Sequence, residues 1–169
     1  MIATDKYIIR AVETDDIESV FAMNSQAERG EFQEFAFESK DALSKRLYDG
    51  HMFNETFQTL MVESPEKAHI GLIYVNFLRP GLVRLGLVLK PDARHKGLGK
   101  DITRTITRYL FDNFDVIRIE ADTDANNIAA QRVLESAGFM KEGLLRKYRY
   151  HHGCWNDSVL YSIIKQVSP

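Results

Sequence analysis

The residues best placed to do chemistry lie where a strand-like run gives way to a helix-like one. Residues 87–100 read Leu-Val-Leu-Lys-Pro-Asp-Ala-Arg-His-Lys-Gly-Leu-Gly-Lys. Pro91 cannot donate to a strand ladder, so the strand ends there. Gly97 and Gly99 then precede the helical run. Glycine lets backbone N–H groups approach an oxyanion closely, and a helix start adds orphan donors and a favourable dipole. Arg94, His95, Lys96 and Lys100 surround the turn with positive charge, a combination suited to gripping a pyrophosphate. Two common phosphate loops fail on spacing. A Walker A loop would need Gly at Arg94 and Ser or Thr at Asp101, and a dinucleotide fingerprint would need Gly at Ile102. Glu120 and Asp122 are two apart on a strand-like run, hence on one face. Cys154 is the only cysteine and has no evident base and orienter, so it reads as a plain thiol. His151, His152 and Cys154 imitate a metal cluster, but adjacent histidines on a strand point apart and a fourth ligand is lacking, so no metal is expected.

These residues need elements to hold them. The run YIIRAV reads as an edge strand, followed by a helix with Thr14 as its N-cap and Ile17, Val20 and Phe21 on its apolar face. Ser39 caps a second short helix that Gly50 ends. Three strands follow at 56–63, 69–78 and 82–90, the last two joined by Arg79-Pro80-Gly81, as in an antiparallel meander. After Gly99 the apolar residues Ile102, Ile106, Leu110 and Phe111 recur at helical spacing. A strand at 116–123, a helix at 128–138 closed by Gly138, and two tail strands separated by HHGCWND complete the chain. The order predicts an α/β, mixed and mostly antiparallel sheet with helices on its faces.

The chain of 169 residues is of the size of one domain, and residues 1–169 are expected to form one. Lys plus Arg number 22 against 24 Asp plus Glu, which does not suggest a nucleic-acid binder. No apolar run is long enough to span a bilayer, and the first residues lack a signal-peptide layout. With a single cysteine, a cytoplasmic location is expected and neither membrane nor nucleic acid is an expected partner. Charge is uneven. Residues 1–60 hold twelve acidic and six basic side chains, whereas 90–108 hold six basic and two acidic.

The pattern R-x-x-G-x-G from Arg94 to Gly99 resembles the pyrophosphate-binding motif of the GNAT N-acetyltransferases. A later block, from Asn126-Asn127-Ile128 to Ala137-Gly138-Phe139, resembles the same family's Asn before a short helix that ends in Gly-Phe. The continuation EGLLRKYRYHHGCWNDSVLYSII is similar to the branch of ribosomal-protein N-terminal acetyltransferases and related polyamine acetyltransferases. The resemblance implies a six- to seven-stranded sheet with about four helices, and transfer of an acetyl group from acetyl-CoA, the acyl donor, to a primary amine by direct attack. It implies that Leu87, Val88 and Leu89 pair with the pantetheine amides on a splayed strand. His95, Lys96, Gly97, Leu98, Gly99 and Lys100, beside Arg94, would form the pyrophosphate loop. Asn127 would contact the cofactor, cap a helix, or do both. Glu120 suits the longer strand-to-Asn spacing as general base and Asp122 the shorter one; Glu120 is preferred. The family's usual Tyr general acid is replaced by Leu134, which leaves Tyr148, Tyr150 or water to protonate the thiolate.

For the acceptor, Glu28, Glu31, Glu34 and Glu38 recur around Phe32, Phe35 and Phe37. An acidic, aromatic wall of this kind, with Glu31, Phe35 and Trp155 as substrate-binding residues, suits a cationic amine, either a protein N-terminal α-amine or a polyamine; a solvated acidic face is the plain alternative. An amino sugar, amino acid or antibiotic acceptor, and a silent acyl-CoA-binding module, remain open. Edge strands of this fold often pair into a homodimer.

Overall fold

A computed structural model describes residues 1–24, 30–34 and 37–166. Its strands are β1 (Ile2–Ala3), β2 (Ile8–Ala11), β3 (Phe57–Glu63), β4 (His69–Arg79), β5 (Gly81–Leu89), β6 (Val116–Asp124), β7 (Met140–His151) and β8 (Cys154–Ile164). The helices are α1 (Ile17–Met23), α2 (Lys40–Tyr48), α3 (Leu98–Asn113) and α4 (Ile128–Ala137). The eight strands form one sheet in the order β1-β2-β3-β4-β5-β6-β8-β7, antiparallel throughout except for β5 beside β6. The expected meander is β3-β4-β5. The sheet exceeds the expected strand number by the two-residue β1, too short to leave a period in the sequence.

Alternation along the strands sends side chains into two apolar layers. Leu60, Val62, Ile73, Val75, Val83, Leu85, Ile119 and Ala121 pack under α3 and α4 with Ile102, Ile106, Leu110 and Leu134. Met61 and Leu72 face the other way and meet Val20 and Met23 of α1 and Leu43 of α2. Helical spacing of the apolar residues of α3 and α4 is what makes this burial possible. Ser39 caps α2 as expected, its side chain accepting the Ala42 N–H at 3.1 Å. Thr14 does not cap α1. It opens a one-turn 3-10 helix, Thr14–Asp16, in which Asp16 accepts the Glu13 N–H at 2.8 Å. The buried Asp16 carboxylate also holds Arg10 at 2.6 Å, and Arg10 reaches Glu63 at 2.7 Å. Burial alone would raise the pKa of Asp16, but these hydrogen bonds prevail and hold it below the ordinary carboxylate value.

Two irregularities shape the site. The parallel pairing of β5 with β6 stops at Arg84↔Glu120, although β5 runs on to Leu89 and β6 to Asp124. Each strand keeps its outer neighbour to the end: Leu89 still pairs with Gly71 and Asp124 with Ser158. The two strands therefore splay apart in a V whose apex is the Arg84–Glu120 pair. The second irregularity is a register shift of β7 against β8 between Leu145 and Arg149. Lys147 there has φ +52°, and its N–H is caught by Asp157 Oδ1 at 2.8 Å. A bulge of this kind bends a strand and re-aims its side chains.

Candidate functional site

The open side of the V leads to the first turn of α3. Gly97, with φ +78°, stands just before the helix, and His95 also has a positive φ of +60°. Asp101 N–H is the first to find a helical acceptor, Gly97 O at 3.4 Å. The N–H groups of Leu98, Gly99 and Lys100 therefore lie in the turn that helix geometry leaves unsatisfied. His95, Lys96 and Gly97 are exposed. Arg94 turns inward, its Nε donating to Leu89 O at 3.0 Å, which ties the loop to the end of β5. Gly99 is buried, and a Cβ there would lie 3.3 Å from Val133 Cγ2. Its lack of a side chain lets α3 approach α4, a packing role that the motif alone does not reveal. Leu87, Val88 and Leu89 occupy the half of β5 beyond the apex, and all three are half-buried. Asn127 caps α4, its Oδ1 accepting the Ala130 N–H at 3.1 Å.

Beside the V, one face of β6 carries Glu120, Asp122 and Asp124 in alternation. The bend in β7 lays the tip of the β7–β8 hairpin against that face. Arg149 Nη2 meets Asp122 Oδ2 at 2.6 Å, and His151 Nε2 meets Asp124 Oδ2 at 2.7 Å. At the apex, Glu120 accepts from Arg84 at 3.0 Å and Arg118 at 2.9 Å, while Arg84 also donates to Tyr148 Oη at 2.8 Å. Burial works to raise the Glu120 pKa, but the bonds and charges of Arg118 and Arg84 prevail and hold it below the ordinary carboxylate value. A carboxylate held ionised by two guanidiniums is a poor proton acceptor near neutral pH. The geometry thus argues against Glu120 as the base and makes it the anchor of this network. Leu134 is buried in the core beneath the sheet. Sequence reasoning missed the Asp124–His151 contact, because nothing in the one-letter order signals the bulge that creates it.

On the acceptor side, the hairpin tip meets the loop after α1: His152 Nε2 lies 2.9 Å from Glu31 O. That contact gathers Glu31 and the Trp155 hairpin at one edge. Both residues are exposed, and Trp155 stacks edge-on to Tyr150 at 5.4 Å. Glu38 is engaged by Arg46 at 2.7 Å. Phe35 and Glu28 lie outside the described residues.

Residues 6–140 match the family model of the acetyltransferase (GNAT) domain. An uncharacterized N-acetyltransferase of Bacillus subtilis is 27% identical over 98% of this chain and 97% of its own. A spermidine N(1)-acetyltransferase of Vibrio cholerae is 24% identical over 88% of this chain and 87% of its own. Among solved structures, a Vibrio cholerae spermidine N-acetyltransferase in complex with CoA and spermine superposes with a TM-score of 0.86 at 22% identity, covering 95% of this chain and 96% of that one. The chain belongs to the GNAT acetyltransferase family and is an acetyl-CoA-dependent N-acetyltransferase.

Proposed function

We propose that this GNAT enzyme acetylates a cationic primary amine by direct attack on acetyl-CoA, all within one domain, and that a small polyamine is the first acceptor to test. The observation that carries this reading is the V between β5 and β6, which opens onto the unsatisfied first turn of α3. Strand edges that have left each other expose amide groups able to pair with the amides of a pantetheine arm. In this reading Leu87, Val88 and Leu89 supply that edge, and a β5 N–H polarises the thioester carbonyl as a fixed donor. The pyrophosphate rests on the N–H groups of Leu98, Gly99 and Lys100, with His95, Lys96 and Lys100 adding charge and Gly97 giving close approach. Asn127 holds the start of α4 at the rim of the V and offers its Nδ2 to the donor arm.

The acceptor reading rests on Glu31, exposed where the loop meets the hairpin tip, and on Trp155 beside it. It is supported by the 24% identity to a spermidine N(1)-acetyltransferase. A peptide N-terminus presents the same ammonium and is the second acceptor to test.

Melting curves with acetyl-CoA, CoA, ATP and NAD test the donor site, followed by thiol release with spermidine, a dipeptide, glucosamine and kanamycin. A ligand at a hundredfold excess over its Kd adds about 2.7 kcal/mol of stability, several degrees of Tm for a chain of this length. Stabilisation by acetyl-CoA and CoA alone, with thiol release on spermidine, is the expected outcome. Stabilisation without release on any amine would indicate a silent acyl-CoA-binding module. Absence of stabilisation at millimolar concentration would overturn the donor site.

A further inference from the structure

We propose that His151, oriented by Asp124, is the general base that takes the proton from the acceptor amine; this rests on the amine-acetylation reading above. Three carboxylates share the face of β6 beside the V, and they differ in partner. Glu120 is held by Arg84 and Arg118, and Asp122 by Arg149. Asp124 instead takes the ring of His151 at 2.7 Å and the Asn126 N–H at 2.7 Å. Its side chain is fully buried, and that of His151 is only 9% exposed. The other ring nitrogen, His151 Nδ1, is also buried and has no hydrogen-bond partner among the described residues. A carboxylate that accepts from Nε2–H fixes the tautomer in which Nδ1 carries the lone pair. This is how a carboxylate prepares an imidazole to act as a base. Ser158 Oγ, on β8 opposite Asp124, is another buried polar atom with no hydrogen-bond partner among the described residues. Buried polar atoms usually have partners, so an imidazole nitrogen left without one beside an oriented carboxylate points to a function.

The position agrees. Arg84 and Glu120 are paired in parallel register, so Val88 and Asp124 each lie four residues, about 13 Å, farther along their strands. They stand at one height on opposite arms of the V. Their side chains also share the face that carries Arg84 and Glu120. Val88 is one of the residues assigned to the donor arm, so Asp124 and His151 face the level at which that arm lies. The hairpin that delivers His151 also delivers His152 to Glu31 O, on the acceptor side. One hairpin tip thus carries His151 to Asp124 of β6 and His152 to the loop after α1.

The chemistry balances. The acceptor arrives as an ammonium, and the buried His151 Nδ1 takes one proton from it through one bridging water. The freed lone pair attacks the thioester carbonyl carbon, forming the C–N bond. The C–S bond then breaks, and the departing thiolate takes the second proton from nitrogen. The products are the amide, the CoA thiol and one proton, which His151 passes to solvent.

Two measurements test this. In the first, protein labelled with 15N-histidine is titrated with acetyl-CoA, His151→Gln assigning the resonance. The expected result is a neutral ring protonated at Nε2, with an Nδ1 signal that moves when acetyl-CoA binds. A ring protonated at Nδ1, or a signal unmoved while the melting temperature rises, overturns the proposal. An unchanged melting temperature is instead a failure of the donor site itself. In the second, thiol release is followed with spermidine and the dipeptide. Removing a general base costs about 10²–10⁴-fold, so His151→Gln should lose at least a hundredfold in kcat at unchanged acetyl-CoA KM. Added imidazole should restore part of the loss in His151→Ala. Full activity of His151→Gln overturns the assignment, as does a loss that imidazole leaves untouched and that comes with a raised acetyl-CoA KM.

Discussion

Gly97 offers the sharpest separation of binding from folding. It stands at φ +78°, and among the described residues beyond its two chain neighbours no heavy atom lies within 4 Å of where a Cβ would be. Replacement by Ala therefore creates no clash, and its cost is the left-handed backbone, about 1–2 kcal/mol. That lowers the Tm of the unliganded protein by roughly 2–4 °C per kcal/mol. Gly97→Asp bears no more than that backbone cost, since Asp enters the left-handed region more readily than Ala, and adds one negative charge at the mouth of the α3 turn. Two like charges about 5 Å apart at an effective dielectric of about 20 repel by about 3 kcal/mol, which is about a hundredfold in Kd. Acetyl-CoA affinity measured by calorimetry at low salt should thus fall about a hundredfold further for Asp than for Ala. The two unliganded proteins should melt within a few degrees of each other. Added salt should narrow the affinity gap, because an exposed charge is screened. Equal affinity of the two variants would refute the placement of the pyrophosphate on this turn, since nothing else near Gly97 distinguishes them.

Glu120→Gln should lower kcat by less than the roughly hundredfold that removing a base costs, and lower Tm by the few degrees expected when hydrogen bonds to charged partners weaken; a larger kcat loss with the acid limb of the pH profile gone would restore Glu120 as the base. Arg10→Leu strands the buried Asp16 and Glu63 carboxylates, a loss of about 3–5 kcal/mol at pH 7. Because Asp16 titrates below its ordinary value in the folded protein, the stability it contributes is complete above that ordinary value, about pH 4, and is lost as pH falls further. The Tm gap between wild type and Arg10→Leu should therefore shrink between pH 7 and pH 3.5, and a constant gap would contradict the linkage. Asn127→Ala should lose about 1 kcal/mol of capping and raise the acetyl-CoA KM. Asn127→Asp should keep the cap and still raise KM, and an unchanged KM in both variants would leave Asn127 a cap alone.

The elements that chain-local patterns specify were legible. Helical spacing from Ile102 to Leu110, Gly97 just before α3, Gly138 just after α4, and the Arg79-Pro80-Gly81 turn all act within a few residues, and the structure places α3, α4 and the β4–β5 hairpin accordingly. Thr14 misled because Glu13 takes the cap position and Asp16 reaches back to its N–H, and Asp16 is further fixed by Arg10, itself held to Glu63 across 53 residues of sequence. The V is of the same kind. Residues 85–89 and 121–124 read as ordinary strand, and their separation exists only because each remains with its outer neighbour, Gly71 or Ser158. The family resemblance implied a splayed strand, whereas the residues themselves did not.

The motif singled out the residues that the structure gathers at the splayed strands and the start of α3, but no motif marks the contacts that depend on one bulge. Adjacent histidines on a regular strand point apart, and on that rule the sequence offered no shared metal. It also hid His151, because the rule presumes an unbroken strand. With the register shift between Leu145 and Arg149, the left-handed Lys147 and its Asp157 partner, β7 bends before its tip. Arg149 and His151, two apart, then fall on Asp122 and Asp124, also two apart. At the tip, His152 and Gly153 both have positive φ, the two-residue turn that matches strand twist. His152 is thereby turned to Glu31 while His151 turns to Asp124. The neighbouring histidines separate as the sequence rule says, but into two different walls of one site. A substitution that straightens the bulge should accordingly displace both contacts together, whereas one at Asp124 should release only His151.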